Sequence, residues 1–362
     1  MFSFFRKNDQ TSDTSTSRVG VTPADMPGIK ICPKCNRLYR PKTVVCIFDE
    51  SLLHEKNPQP KEQQQPISSV TATREDDSKW TLLTNKPLGT GSLCAVYEAI
   101  DMKDGKPVVV KILHSHLMND KKAERRFLEG AKLALPLVHE NIVRELATGA
   151  YVDTWHKVAR PLTVFEYIEG KQLSNLIDED NLPTAADTLS IASDVCFALQ
   201  YAHEKGVIHG DLKPSNIFLQ AVDDRVVAKV CDFAVAERLF SGLEWERVTT
   251  MTCSLYGSAT YLAPDYANSR QLSAVADLYS LGCIMYECLV GYPPFHGAND
   301  FMTIMQHMNE APKALAATGT PPVVSDIVMK ALAKDPSERW QSAEQMNVAI
   351  KIVQKKLGIA GS

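Results

Sequence analysis

The sequence contains no apolar run long enough to cross a membrane and no amino-terminal signal for secretion. A membrane-spanning helix needs about 18 consecutive apolar residues, and the most apolar segment, residues 278–290, is interrupted by Glu287. Arg6 and Lys7 interrupt the aromatic start of the chain before an apolar signal core could form. We therefore expect a cytoplasmic protein in which residues 278–290 form a buried helix.

The chain also has little net charge and no regular cysteine pattern. Its formal net charge is −4, so the sequence gives no reason to expect a nucleic acid partner. The nine cysteines are scattered over 362 residues, which argues against a disulfide scaffold and favours a reducing compartment. Apolar residues make up 44% and charged residues 23%, as in ordinary globular proteins.

Composition divides the chain into four segments. Residues 1–29 are rich in Thr, Ser and Asp and are expected to be disordered. Residues 30–54 contain a compact group of cysteines. Residues 55–78 are rich in Pro, Gln and charge, which is typical of a flexible linker. Residues 80–354 have the dense apolar pattern of one large domain.

This large domain begins with strand signals and continues with helix signals. Short apolar runs at 82–83, 95–97 and 108–110 indicate strands. Apolar residues at helical spacing predict helices over 121–138 and 191–202, with Gly206 at the position of a helix C′ glycine. Strands followed by helices predict an α+β protein with a small β-rich lobe and a larger helical lobe.

Two elements near the start of the domain suit a nucleotide phosphate. Gly89 and Gly91, flanked by Leu88 and Val96, lie between two predicted strands, where glycines let backbone N–H groups approach phosphates closely. A plain glycine hairpin is the alternative. Lys111 ends the strand at 108–110, and a lysine in such a strand needs an anion such as a phosphate. A solvent-facing lysine at a sheet edge is the alternative.

Three later elements carry carboxylates and hydroxyls. Residues 208–216 read IHGDLKPSN, residues 231–233 read CDF, and residues 257–265 read GSATYLAPD, followed by DLYSLG at 277–282. Phosphoryl transfer needs a carboxylate to orient the attacking hydroxyl and oxygen ligands to hold Mg²⁺. Asp211 can supply the first, and Asn216 and Asp232 can supply the second.

In this order and spacing, the five elements resemble the catalytic domain of protein kinases, in particular the bacterial eukaryotic-like (Hanks-type) serine/threonine kinases. The resemblance covers about residues 80–350. It implies a bilobal kinase fold, ATP and Mg²⁺ as cofactors, and transfer of the γ-phosphate of ATP to Ser or Thr hydroxyls of protein substrates.

The resemblance also implies a role for each matching residue. Asp211 matches the catalytic base, Lys213 the lysine typical of serine/threonine kinases, Asn216 and Asp232 the Mg²⁺ ligands, and Lys111 the lysine that holds the α- and β-phosphates. The other implied positions are the glycine-loop residues Leu88, Gly89, Gly91 and Val96, the gatekeeper Phe165, the adenine hinge Glu166, Tyr167 and Ile168, and Ser258 beside the catalytic loop.

Several positions depart from the family pattern. Cys94 replaces the third loop glycine, and Ala234 replaces the glycine after Asp-Phe. Gly210 replaces an arginine that pairs with a phosphorylated activation loop in the family. Asp265 replaces a glutamate and is one methylene shorter, so we expect a looser pair with Arg339. The activation segment still offers candidate autophosphorylation sites, although such hydroxyls are common in any loop: Thr249, Thr250, Thr252 and Ser254.

The largest departure concerns the glutamate that pairs with the strand lysine. Gly130 occupies its position, and Glu129 stands one residue earlier. One residue turns a helix by about 100°, so either the helix is rotated and Glu129 contacts Lys111 near the nucleotide, or the pair is absent and Glu129 forms a surface salt bridge. Since Lys111, Asp211 and both Mg²⁺ ligands are present, an active kinase is favoured; an ATP-binding pseudokinase acting as a scaffold or allosteric partner is the alternative.

The amino-terminal cysteines have the spacing of a metal knuckle. Cys32 and Cys35 form a C-x₂-C pair, Cys46 supplies a third ligand, and Asp49 or His54 a fourth. The segment resembles degenerate zinc-ribbon modules beside bacterial kinases, which implies structural Zn²⁺ and a protein partner. Free thiols beside a small apolar cluster are the alternative, but so few residues rarely fold without a staple.

Overall fold

We analysed a computed structural model, which describes residues 30–31, 38–39, 54–55, 71–73, 79–83, 86–91, 93–118, 120–152, 159–179, 181–223, 225–233, 259–269 and 273–359. Several predictions fall outside these ranges: the disorder of residues 1–29, the cysteine ligands with Asp49, Ala234, Ser258, and the four hydroxyls of the activation segment.

Strands predominate before residue 173 and helices after it, in the part of the chain that the structure describes. The strands are β1 (Lys30–Ile31), β2 (Leu38–Tyr39), β3 (His54–Glu55), β4 (Thr71–Thr73), β5 (Lys79–Leu82), β6 (Gly89–Thr90), β7 (Cys94–Asp101), β8 (Pro107–Leu113), β9 (Glu145–Val152), β10 (Ala159–Glu166), β11 (Gly170–Gln172), β12 (Ile217–Val222) and β13 (Arg225–Val230). The helices are α1 (Lys121–Ala134), α2 (Leu173–Asp178), α3 (Ala185–Glu204), α4 (Pro264–Ser269), α5 (Ala274–Val290), α6 (Asp300–Asn309), α7 (Pro322–Ala331) and α8 (Ala343–Lys356).

The smaller lobe is an antiparallel sheet of seven strands in the order β5-β4-β9-β10-β8-β7-β6. β5 also pairs with β7, so the sheet curls back on itself. One face carries an apolar cluster centred on Trp80, Val110 and Leu162, and α1 contacts β9 and β10. The alternation of side chains along β8 places Lys111 on the face opposite this cluster.

Two predicted boundaries differ from the structure. Residues 71–73, assigned to the flexible linker 55–78, form β4, which pairs with β5 and β9. The helix predicted over 121–138 ends at Ala134, because Pro136 disfavours helical backbone at the residue before it.

The larger lobe is built around the buried helices α3 and α5. α3 begins with a capping box between Thr184 and Asp187, and Gly206 follows its end with a positive φ of 73°, as the sequence predicts. The helix predicted over 278–290 is the buried part of α5. Within the described ranges no helix is long and apolar enough to span a membrane. Together the two lobes give the predicted α+β architecture.

Candidate active site

The backbone of the loop after α3 is held in place by Asp277 of α5. Asp277 accepts hydrogen bonds from the backbone N–H groups of His209 and Gly210, both at 2.9 Å, and from Nε2 of His203 at 2.8 Å. Burial alone would raise the pKa of Asp277, but these donors outweigh it and hold the pKa below its usual value. Asp277 is therefore ionised at neutral pH and fixes the backbone directly before Asp211.

Asp211 lies in a network that orients its carboxylate. Its Oδ2 lies 2.6 Å from Nζ of Lys213, and its carbonyl oxygen accepts from Nδ2 of Asn216 at 2.9 Å. His209 connects this loop to the next strand, since Nε2 donates to the carbonyl of Cys231 and Nδ1 accepts from the N–H of Asp211. Burial raises the pKa of Asp211, partly offset by Lys213, which suits a carboxylate that has to accept a proton.

Lys111 and Asp232 meet in the cleft between the lobes. Nζ of Lys111 forms an ion pair with Oδ1 of Asp232. Burial lowers the pKa of Lys111, but the Asp232 carboxylate more than compensates, so the pKa lies above its ordinary value. Asp232 has a positive φ of 65°, a backbone conformation that is rare outside glycine and concentrates at functional sites.

The residues expected around the nucleotide lie on β6, on β7 and in the turn between them. Gly89 pairs with Val96 across β6 and β7, and the backbone N–H of Leu88 donates to the carbonyl of Val96 at 2.7 Å. Gly91 closes the turn by donating to the carbonyl of Cys94 at 2.9 Å. His114 adds a support that sequence reasoning missed, because its Nε2 donates to the carbonyl of Gly91 at 2.8 Å.

The residues predicted as the hinge lie at the end of β10 and directly after it. Phe165 is buried, and its ring centroid lies 5.0 Å from Nζ of Lys111. The Glu166 side chain binds Lys229 at 2.8 Å and accepts from the N–H of Arg144 at 3.0 Å. Ile168 is buried two residues further on. The hinge prediction thus falls on a segment that joins both lobes.

Glu129 does not contact Lys111 in this structure. Its side chain is half exposed on α1 and lies 3.7 Å from Arg125, four residues earlier. Gly130, the next residue, is on the buried side of the helix. The surface salt bridge is therefore the alternative that the structure places here, and the described part of α1 offers Lys111 no carboxylate.

The expected loosening at Asp265 is not seen. Nη2 of Arg339 lies 2.7 Å from Oδ1 of Asp265, and the arginine side chain is fully buried. Its guanidinium also donates to the carbonyls of Ala333 and Lys334 and lies over the Tyr279 ring. These contacts fix the Arg339 guanidinium close to Asp265, so the ion pair forms although aspartate is shorter than glutamate.

The oxygen atoms in the cleft suit a magnesium ion. Asp232 offers a carboxylate. Asn216 donates its amide N–H to the Asp211 carbonyl, so its Oδ1, which lies 4.0 Å from Sγ of Cys231, is the atom that could serve as a ligand. Mg²⁺ prefers such oxygen ligands. Elsewhere in the described ranges no group of three or more His, Cys, Asp or Glu residues could hold a metal; of the predicted zinc ligands only His54 is described, as part of β3.

Comparison with known proteins gives a consistent result. Residues 82–350 match the family model described as protein kinase domain. A probable serine/threonine-protein kinase of Streptomyces coelicolor is 37% identical over 268 residues, which are 73% of this chain and 38% of that protein. The serine/threonine-protein kinase PknB of Mycobacterium leprae is 34% identical over 261 residues, 72% of this chain and 40% of that protein. The chain thus matches less than half the length of these relatives.

Solved structures agree on the fold. The PknI kinase domain of Mycobacterium tuberculosis superposes with a TM-score of 0.58 at 21% identity, covering 80% of this chain and 99% of that one. Rad53 residues 1–466 in complex with AMP-PNP superposes with a TM-score of 0.57 at 25% identity, covering 73% of this chain and 63% of that one.

Proposed function

Because the chain belongs to the protein kinase family, we propose that it transfers the γ-phosphate of ATP to serine or threonine hydroxyls of protein substrates. The observation that carries the proposal is the convergence of Lys111, Asp211, Asn216 and Asp232 on one cleft between the lobes. Family members generally use ATP and Mg²⁺, and the oxygen ligands of this cleft suit that ion.

Each residue has a distinct task in this proposal. Asp211, with its raised pKa, orients the substrate hydroxyl and accepts its proton. Lys213, 2.6 Å from Asp211, stabilises negative charge beside the transferred group. Asn216 and Asp232 would hold Mg²⁺, whose charge offsets that of the phosphates when it is bound. Lys111 would contact the α- and β-phosphates.

The nucleotide would lie between the glycine turn and the hinge. Leu88, Gly89, Gly91 and Val96 would cover it, since this turn brings backbone N–H groups close to phosphates. The backbone of Glu166 and Ile168 would bind adenine. Glu129 has no part in this proposal, because it lies on the exposed side of α1.

Phosphotransfer by the purified intact chain tests the proposal. Wild-type protein with Mg-ATP should phosphorylate itself or a generic basic protein, and Asp211→Asn should reduce the rate by at least about 100-fold, the contribution of a general base. Asp104→Asn, in an exposed turn beside Lys106, is the matched control and should keep full activity. Undiminished transfer by Asp211→Asn would contradict the role of Asp211.

An ATP-binding pseudokinase remains the second candidate, because Gly130 deprives α1 of the glutamate that pairs with the strand lysine in the family. This function predicts that Mg-ATP raises the melting temperature while no phosphate is transferred to any substrate. The same phosphotransfer assay, run beside a thermal shift measurement, separates the two functions.

We also propose that the amino-terminal cysteines bind structural zinc and present a docking site for a protein partner. The spacing of Cys32, Cys35 and Cys46, with Asp49 or His54 as fourth ligand, supports this. Metal analysis of protein purified without chelator should find close to one zinc per chain. A chain free of zinc, in which Cys32, Cys35 and Cys46 react with thiol reagents, would contradict the proposal.

A cytoplasmic location is the last part of the proposal. Within the described ranges five cysteines are free thiols, and Cys196, Cys283 and Cys288 are buried. Free thiols persist in reducing compartments. Cell fractionation that recovers the protein from an oxidising compartment would contradict this location.

A further inference from the structure

Glu145 is a buried carboxylate near Asp232 that has no role in the proposed mechanism. Glu145 is the first residue of β9 and is only 3% exposed. Both of its carboxylate oxygens are buried. Burying a carboxylate costs free energy of desolvation, and Glu145 lines the same cavity as Asp232, the ion-pair partner of Lys111.

A β-bulge turns Glu145 toward the cleft. In the pairing of β9 with β10, Val164 is opposite Ala147 and Phe165 is opposite Glu145, so Leu146 is an extra residue. Bulges re-aim the side chains beside them and are common next to active sites. Ala147 and Val164 belong to the apolar cluster on the far face of the sheet. Because of the bulge, Glu145 shares the other face with Phe165.

Lys111 lies on this same face, on the other side of Phe165. In the pairing of β8 with β10, Lys111 is opposite Thr163, and Val109 is opposite Phe165. Glu145 and Lys111 are thus separated by two strand spacings across the sheet and by two residues along β10. With about 4.8 Å between neighbouring strands, this separation is within the combined reach of a lysine and a glutamate side chain.

A small cavity lies beside Glu145. Glu145, Phe165 and Asp232 line it, and Asp232 contacts Nζ of Lys111. From α1 the cavity receives Ala134, and Gly130 is also on the buried side of this helix. Neither residue carries a carboxylate, so α1 contributes none to the cavity beside Glu145.

With nucleotide bound, Lys111 would contact the phosphates, and an anion on the protein would be required to hold its flexible side chain in position. In the structure its partner is Asp232, but a carboxylate that holds Mg²⁺ no longer neutralises the lysine. We propose that Glu145 replaces the missing helix glutamate: with nucleotide bound, it pairs with Lys111 from β9 and positions the lysine against the phosphates. Glu145 is then a positioning residue, and this inference rests on the proposed nucleotide site.

Nucleotide binding tests the pairing without any need for catalysis. The probe is Mg²⁺ with a non-hydrolysable ATP analogue, measured by calorimetry on the intact chain. We expect Glu145→Gln and Lys111→Met each to weaken binding about tenfold or more, and the double variant to bind no more weakly than Lys111→Met. Glu140→Gln, an exposed glutamate that pairs with Arg225 at 3.4 Å, is the control and should bind normally.

A rescue experiment separates positioning from folding. Moving the carboxylate back to the helix, in Gly130→Glu with Glu145→Leu, should restore at least half of the lost binding, whereas Glu145→Leu alone should not. Well below its own melting temperature, where its circular dichroism spectrum equals that of the wild type, Glu145→Gln should still bind the analogue more weakly. A merely structural glutamate would give neither result.

The outcomes distinguish this inference from the proposed function. Additive losses in the double variant, failure of the rescue, or weaker binding by Glu129→Gln than by Glu145→Gln would each overturn the pairing, even if the wild type transfers phosphate. Coupling between Lys111 and Glu145 without any phosphotransfer by the wild type would support the pairing and refute the kinase activity.

Discussion

At the scale of single residues, Asp277 shows how one buried charge can set the geometry of a site. Its carboxylate accepts three hydrogen bonds, two of them from the backbone directly before Asp211. The low pKa of Asp277 shows that these bonds favour the ionised form over the neutral one. The position of Asp211 therefore depends on the buried charge of Asp277, which acts through the backbone of residues 209 and 210.

Replacing Asp277 by asparagine should damage both stability and activity. The asparagine NH₂ group faces donors, so we expect a loss of about 3 kcal/mol in unfolding free energy and slower phosphotransfer. Since the folded pKa is lowered, the advantage of the wild type should be complete above the unfolded pKa of about 4. It should shrink as pH falls below that value.

Urea unfolding of both proteins from pH 7 to pH 3 measures this difference. An advantage of the wild type that grows toward low pH would contradict the assignment of the charge.

The site residues divide by the kind of signal that reveals them. Lys111, Asp211, Asn216 and Asp232 stand in short motifs, and the structure brings them to one cleft, although their roles stay predictions. Glu145, which we propose as a partner of Lys111, could not be found in this way, because its orientation depends on a bulge. The bulge is a property of the pairing between β9 and β10 and leaves no local pattern in the sequence.

At the scale of elements, α5 and α7 are in close contact at Gly282. A Cβ atom at this position would lie 2.7 Å from Cβ of Ala331 and 3.3 Å from Cδ2 of Leu332. Any side chain at this position would clash with α7 unless the two helices moved apart. This contact supports α5, which carries Asp277.

Gly282→Ala should therefore destabilise the protein although alanine favours a helix by about 1 kcal/mol. We expect a net loss of about 1–3 kcal/mol from overpacking, measured by urea unfolding. Adding Ala331→Gly should recover most of the loss by removing the atom in contact. A stabilised single variant would show that the helices move apart freely.

Sequence patterns predicted the existence of these elements better than their ends. The helical spacing of α1 continues to Val138, yet the helix stops at Ala134 because proline follows. Residues 71–73 have a linker composition, but β9 and β5 both pair with them. Such pairing depends on distant strands, so composition within the segment could not reveal it.

At the scale of the whole molecule, β4 marks where the amino-terminal segments meet the smaller lobe. It lies between β5 and β9, and β9 carries Glu145 at its start. Removing β4 would leave an exposed strand edge along β9, which favours aggregation as well as local opening. The smallest independent catalytic fragment should therefore begin before Thr71, not near Trp80.

Two fragments of the chain test this boundary, one beginning at residue 66 and one at residue 76. The longer fragment should melt at the temperature of the catalytic domain in the intact chain. The shorter one should melt about 5 °C or more lower, because several strand hydrogen bonds worth about 1 kcal/mol each are lost. Equal melting temperatures and equal solubility would contradict a structural role for β4.

The same two fragments show whether the cysteine segment controls the active site. If both transfer phosphate as fast as the intact chain, the segment has no such control, and its role must be sought in a protein partner.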